Sequence, residues 1–189
     1  MNRWIKTSLW GLFFVLVVLA ILGAFKFYSS SSETEENRLI RELQKSYATR
    51  MHEQANLQCT MTGTGGTKGL DELSFYFRCP KKINRDEISQ VRKIALNCSE
   101  TLLKMVNSNR ALKPFLAHYP FTHRNIDVTV FFVSDKNNLV DERSFWAVTV
   151  DEQGVAYEVD SDIQHKRIVV KSESYSEAIL LAKLKDPSL

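Results

Sequence analysis

The chain has 189 residues, with 25 Lys and Arg against 22 Asp and Glu, for a formal net charge of +3. Arg3, Lys6 and Lys26 supply that whole excess, so from Ser29 onward the charges cancel at 22 against 22. A nucleic-acid-binding domain carries a basic excess on its folded part. With none here, nucleic acid is not an expected partner.

Thr7 to Phe25 reads TSLWGLFFVLVVLAILGAF and contains no charged residue. A bilayer core of about 30 Å takes roughly 20 apolar residues in a helix, the conformation that pairs every backbone group within the segment. Trp4, Trp10 and Tyr28 stand near its ends, where amphipathic rings favour the headgroup level. A cleaved secretory signal would show an apolar run of about 7–15 residues and a small-x-small site. This run is longer, and Leu22-Gly23-Ala24 offers no small residue at the first of those places. A buried core helix would show a polar face, which is lacking. The expectation is a single-pass, uncleaved anchor over residues 7–27, with the lipid bilayer as its first partner. Flanking positive charges are nearly balanced. The short tail, residues 1–6, and the acidic Glu33, Glu35 and Glu36 beyond the serines favour a cytoplasmic N-terminus and an extracytoplasmic domain.

Cys59, Cys79 and Cys98 are too few for a disulfide scaffold, and no CxxC pair or zinc-type spacing occurs. In an extracytoplasmic domain, Cys59 and Cys79 could close a loop across two neighbouring strands. In a reducing compartment all three would be structural thiols. Both readings stay open.

Ser29 to Ser32 is a polar spacer, and Glu33 to Gln54 reads as a helix. Leu39, Ile40, Leu43, Tyr47 and Met51 recur at three- and four-residue steps behind an acidic first turn. Its thin apolar stripe suits a stalk over residues 28–56, a partner helix, or packing on a globular domain spanning 57–189. Leu57 to Met61 alternates as a short strand. Gly63 to Gly69 invites a phosphate-loop claim, but Thr67 precedes Lys68 and Gly69 follows it, so neither the P-loop nor the dinucleotide spacing is met. A hairpin loop is expected instead, with Leu70 to Cys79 returning and Pro80 ending the strand.

Asn84 with Glu87 three residues on gives a capping signal for a helix to Asn109. Ile88, Val91, Ala95, Cys98, Leu102 and Met105 form its stripe, widened by Ile94, Leu103 and Val106. Cys98 lies mid-stripe and reads as a small core residue, whereas a catalytic thiol needs an exposed electropositive site. Asn97-Cys98-Ser99 fits a glycosylation triplet. Such acceptors sit in surface loops, so this one is discounted.

Arg110 to Thr122, RALKPFLAHYPFT, is a proline-stiffened connector. Its Phe115, Tyr119 and Phe121 either cover the end of the core or form a binding lip. This segment and the strand after it resemble stretches in uncharacterised bacterial membrane-linked proteins, a likeness that brings no activity with it. Strands follow at Ile126–Val133, Ser144–Val150 and Val155–Val159, with a tight turn at Asp151-Glu152-Gln153-Gly154. Arg167 to Lys171 adds an edge strand, and Ser174 with Glu177 caps a last helix, Tyr175 to Lys185. Lys81-Lys82 with Arg85, and His165-Lys166-Arg167, read as solvated surface or, more sharply, as headgroup contacts.

The catalytic candidates are Cys98, His118 and His123. The histidines are five apart across Pro120 and lack the helical HExxH pattern. No G-x-S-x-G elbow, S-x-x-K or kinase signature is present. Asp127, Asp141, Asp151 and Asp160 could furnish a carboxylate pair, although acids near turns are commonplace. No cofactor or metal is called for.

The expected fold is α+β, with the transmembrane helix followed by an antiparallel sheet packed against the long central helix, plus a C-terminal helix. The expected function is protein interaction or envelope assembly by a membrane-tethered domain. A membrane-tethered hydrolase and a small-ligand-binding domain are the alternatives.

Overall fold

In the computed structural model, residues 34–133, 143–161 and 166–185 are described. The expected anchor at 7–27, the tail before it, the serine spacer, Asp141 and His165 lie outside them. Among the described residues, no helix is long and apolar enough to cross a membrane. Two compact units divide the chain, Met1–Arg38 and Leu39–Leu189.

The described residues contain three α-helices, three single-turn 3-10 helices and six strands. Helix α1 covers Glu35–Ala55, followed by strands β1, Gln58–Gly65, and β2, Glu72–Cys79. Helix α2 covers Ile88–Ser108. Strands β3 (Ile126–Phe132), β4 (Ala147–Asp151), β5 (Gly154–Ser161) and β6 (Lys166–Glu173) follow, and helix α3 spans Tyr175–Lys185. The expected α+β class is therefore observed. The strands lie in one six-stranded sheet in chain order, β1 to β6.

The sheet is mixed, which corrects the antiparallel expectation at one pair. Strands β2 and β3 run parallel, with Leu73 opposite Ile126 and Phe77 opposite Val130, while the other four pairs are antiparallel. The cause is α2. A helical crossover returns the chain to the end from which β2 began, so the next strand must run the same way.

Alternation then builds one apolar face. Leu73, Phe75 and Phe77 of β2, Ile126, Val128 and Val130 of β3, and Val148 and Val150 of β4 are all buried, and Val155, Tyr157 and Val159 of β5 continue the layer. Val91, Ala95, Cys98, Leu102 and Val106 of α2 pack into the same core. The stripe of α1 (Leu39, Ile40, Leu43, Tyr47, Met51) is buried too, which decides between stalk and packed helix. The Tyr47 ring lies edge-on to Phe75, 4.6 Å between centroids, and its hydroxyl donates to the Cys98 carbonyl at 2.8 Å. That bond joins α1 to α2.

Only the second half of the glycine-rich stretch is the expected loop: Gly63 to Gly65 pair with β2 as strand, and the turn begins at Gly66. Strand β1 runs on through Gly65, and Gly69 takes φ +104 so that its backbone can pass the connector. A Cβ there would stand 2.7 Å from the Phe115 carbonyl oxygen. Around it, the Leu70 N–H donates to that same oxygen and the Ala117 N–H donates to the Leu70 carbonyl, at 2.7 and 2.9 Å. The connector is thereby tied across the β1–β2 turn.

Candidate interaction surface

Each candidate side chain has a definite place, and the catalytic trio is dispersed. Cys98 is completely buried, and burial pushes its thiol up to about 12. At neutral pH it is a protonated core residue, unable to act as a nucleophile. His118 is exposed and lies 3.4 Å from a carboxylate oxygen of Asp71. His123 stacks on Tyr175 at 4.6 Å, and burial, with Arg124 nearby, lowers its pKa. No nucleophile–base pair is assembled from these three.

The proposed Cys59–Cys79 bridge is not formed, and all three cysteines are free. Register supplies the reason: Cys59 sits opposite Phe77 and not Cys79. Diagonal neighbours across a strand pair are about 7–8 Å apart at Cα, beyond the usual reach of a disulfide. The expected lip also separates into three different environments. Phe121 is buried in the core, where Asn107 both donates to its carbonyl and accepts from its N–H, at 2.9 and 2.8 Å. Phe115 packs against the core, and Tyr119 stands exposed beneath the Lys113 ammonium. This connector is core cover.

Two aspartates dismissed as commonplace do share a site. On the sheet face opposite the core, Asp127 and Asp151 line a shallow depression of about 350 Å³ with Glu72, Tyr76, Thr129 and Arg124. Tyr76 donates to Asp127 at 2.8 Å, and the Thr129 and Thr149 hydroxyls lie 3.0 Å apart. Burial raises the Asp127 carboxyl; the Tyr76 bond opposes that, while Glu72 and Asp151 add repulsion. Only pairing across strands could have revealed the set. Among the described residues, no group of three or more His, Cys, Asp or Glu is placed to hold a metal ion.

Further along that face, the Arg167 guanidinium sits over the rings of Phe131 and Trp146, 5.8 and 5.7 Å from their centroids. The two rings meet edge to face at 6.1 Å. Arg167 belongs to β6, the last strand of the sheet, so this cluster runs to an edge. Ile168, Val169 and Val170 of that edge strand are 46, 56 and 42 % exposed.

No protein-family model, curated protein or solved structure matches this chain.

The surface must therefore be read from its chemistry. Single exposed aliphatic side chains are ordinary on any protein. Exposed aliphatic residues on the outermost strand of the described residues stand out, because a sheet edge also presents backbone donors and acceptors, although Ile168, opposite Val159, and Val169, opposite Glu158, point to different sheet faces. The opposite edge is unlike it: β1, QCTMTGTG, is threonine- and glycine-rich, with Met61 as its large exposed apolar residue. The basic clusters divide as well, since Arg167 serves the aromatic pair and is not simply solvated.

Proposed function

We propose that this chain is a membrane-tethered protein-interaction module, anchored through residues 7–27, that presents its α+β domain to a protein partner outside the cytoplasm. The observation that carries the reading is the exposed Ile168-Val169-Val170 run on the β6 edge. Burying it against a partner would recover roughly 25 cal/mol for each Å² of apolar surface removed from water. The buried Cys98 and the separated His118 and His123 favour binding over hydrolysis. Dispersal of Phe115, Tyr119 and Phe121 likewise weakens the small-ligand alternative.

A photo-reactive residue placed at Val169 in native membranes tests this directly. One discrete protein adduct is expected there, and none from the same probe at Thr64 on the β1 edge. Equal adducts from both positions, or none from either, would refute the assignment.

A further inference from the structure

We infer that α3 lies against the bilayer to which the chain is tethered, with Leu180 and Leu184 inserted among the outermost acyl carbons. The inference rests on the tethered reading and adds a second lipid contact to it. Its basis is a helix built inside out. Ala178 and Ala182 are the buried positions of α3, which packs on α2 and β5, and Tyr175 and Ile179 pack partly against the core. Leu180 and Leu184 stand outward, 60 and 71 % exposed. At about 3.6 residues to a turn, Leu180 falls opposite the midpoint of the two alanines, with Leu184 one turn further along that outer face. A surface helix ordinarily turns its large aliphatic side chains to the core. Here the small residues face the domain and the larger apolar ones face water.

The size of this face selects its cover. Helix α3 has 11 residues and is about 16 Å long. Two leucines on it fall far short of the roughly 800 Å² that each partner buries in a standard protein interface. A second copy, or another protein, would not be held by them alone. A bilayer demands no matching shape, and shallow burial of leucines at the boundary of headgroups and acyl chains is how interfacial helices bind. The tether also removes most of the cost of reaching it. Lys26 to Thr34 separate the apolar run from α1, and even fully extended they span only about 30 Å. The domain is therefore held beside the lipid, where a contact too weak for free association is populated. Glu177 and Lys183, both exposed, flank Leu180 on opposite sides of the outer face. Their charges cancel, so apolar insertion governs the contact and headgroup charge does not.

The test uses the full chain reconstituted in phosphatidylcholine vesicles that contain a phospholipid with a diazirine midway along one acyl chain. After illumination, lipid adducts are mapped by mass spectrometry. They are expected on Leu180 or Leu184 as well as on residues 7–27. Replacing about one-fifth of the lipid by phosphatidylserine should change the α3 yield less than about twofold. Leu180→Gln combined with Leu184→Gln should lower that yield at least about tenfold, while circular dichroism and the labelling of 7–27 stay unchanged. Undiminished α3 labelling in the double variant would overturn the insertion. So would labelling confined to 7–27, which would leave the tether standing. Absence of lipid adducts from both places removes the tethered reading as well. A photo-reactive residue at Leu184 that captures a protein in native membranes, and no lipid, would put a protein partner or a second copy on this face instead.

Discussion

Arg92 and Glu173 show how much one side chain can cost once it leaves water. Both are buried beneath the helical layer, joined by two hydrogen bonds, with the Tyr157 hydroxyl also donating to Glu173. Burial alone would push the Glu173 carboxyl up, but its bonds from Arg92, Tyr157 and Lys171 prevail and hold it at about 2. Because that value lies below the ordinary 4.5, the unfolded chain binds the proton more readily. The stabilisation is thus fully present above about pH 4.5 and is lost as pH falls towards 2. Arg92→Met should cost about 3 kcal/mol at neutral pH, the low end for removing one partner of a buried ion pair, because Lys171 and Tyr157 still bond the Glu173 carboxylate. Urea unfolding across that acid range should show the wild-type decline flattened in the variant; an unchanged slope would place the acid sensitivity elsewhere. Cys98 was legible as core from the spacing of its stripe. Arg92 was not, because a charged residue on a helix reads as solvated until its partner, 81 positions away, is known.

At the scale of elements, α1 is the instructive case. Its apolar stripe is thin enough to suggest a stalk, yet all five stripe residues are buried and Tyr47 reaches the Cys98 carbonyl. Each such side chain contributes roughly 1.5–3 kcal/mol, so together they rival the 5–15 kcal/mol of a whole domain. A chain lacking residues 34–56 should therefore fail to fold, giving no cooperative melt by circular dichroism. A normal melt would restore the stalk. Strand positions were legible from period-two alternation, and the helix caps from Asn84 and Ser174, whose partners Glu87 and Glu177 bond as expected, at 3.2 Å in each case. The parallel β2–β3 pair and the scattering of Phe115, Tyr119 and Phe121 were not legible. Both depend on where α2 returns the chain.

For the whole molecule, the proposed tether is the part of the reading that an extraction experiment reaches. Residues 7–27 should hold the chain in the pellet after alkaline carbonate extraction, whereas deleting them should release a folded domain. A full-length chain recovered in the supernatant would end the tethered reading. Local sequence determined the α+β class, most element positions, the glycine turn and the buried state of Cys98, because periodicity and turn chemistry act between residues close along the chain. Tertiary structure alone decided the mixed sheet, the Arg92–Glu173 pair, the Asp127–Asp151 depression and the exposure of Ile168 to Val170. Those depend on which strand becomes the last in the sheet and which side chains meet across it, and contacts between distant residues leave no periodic trace in a single sequence.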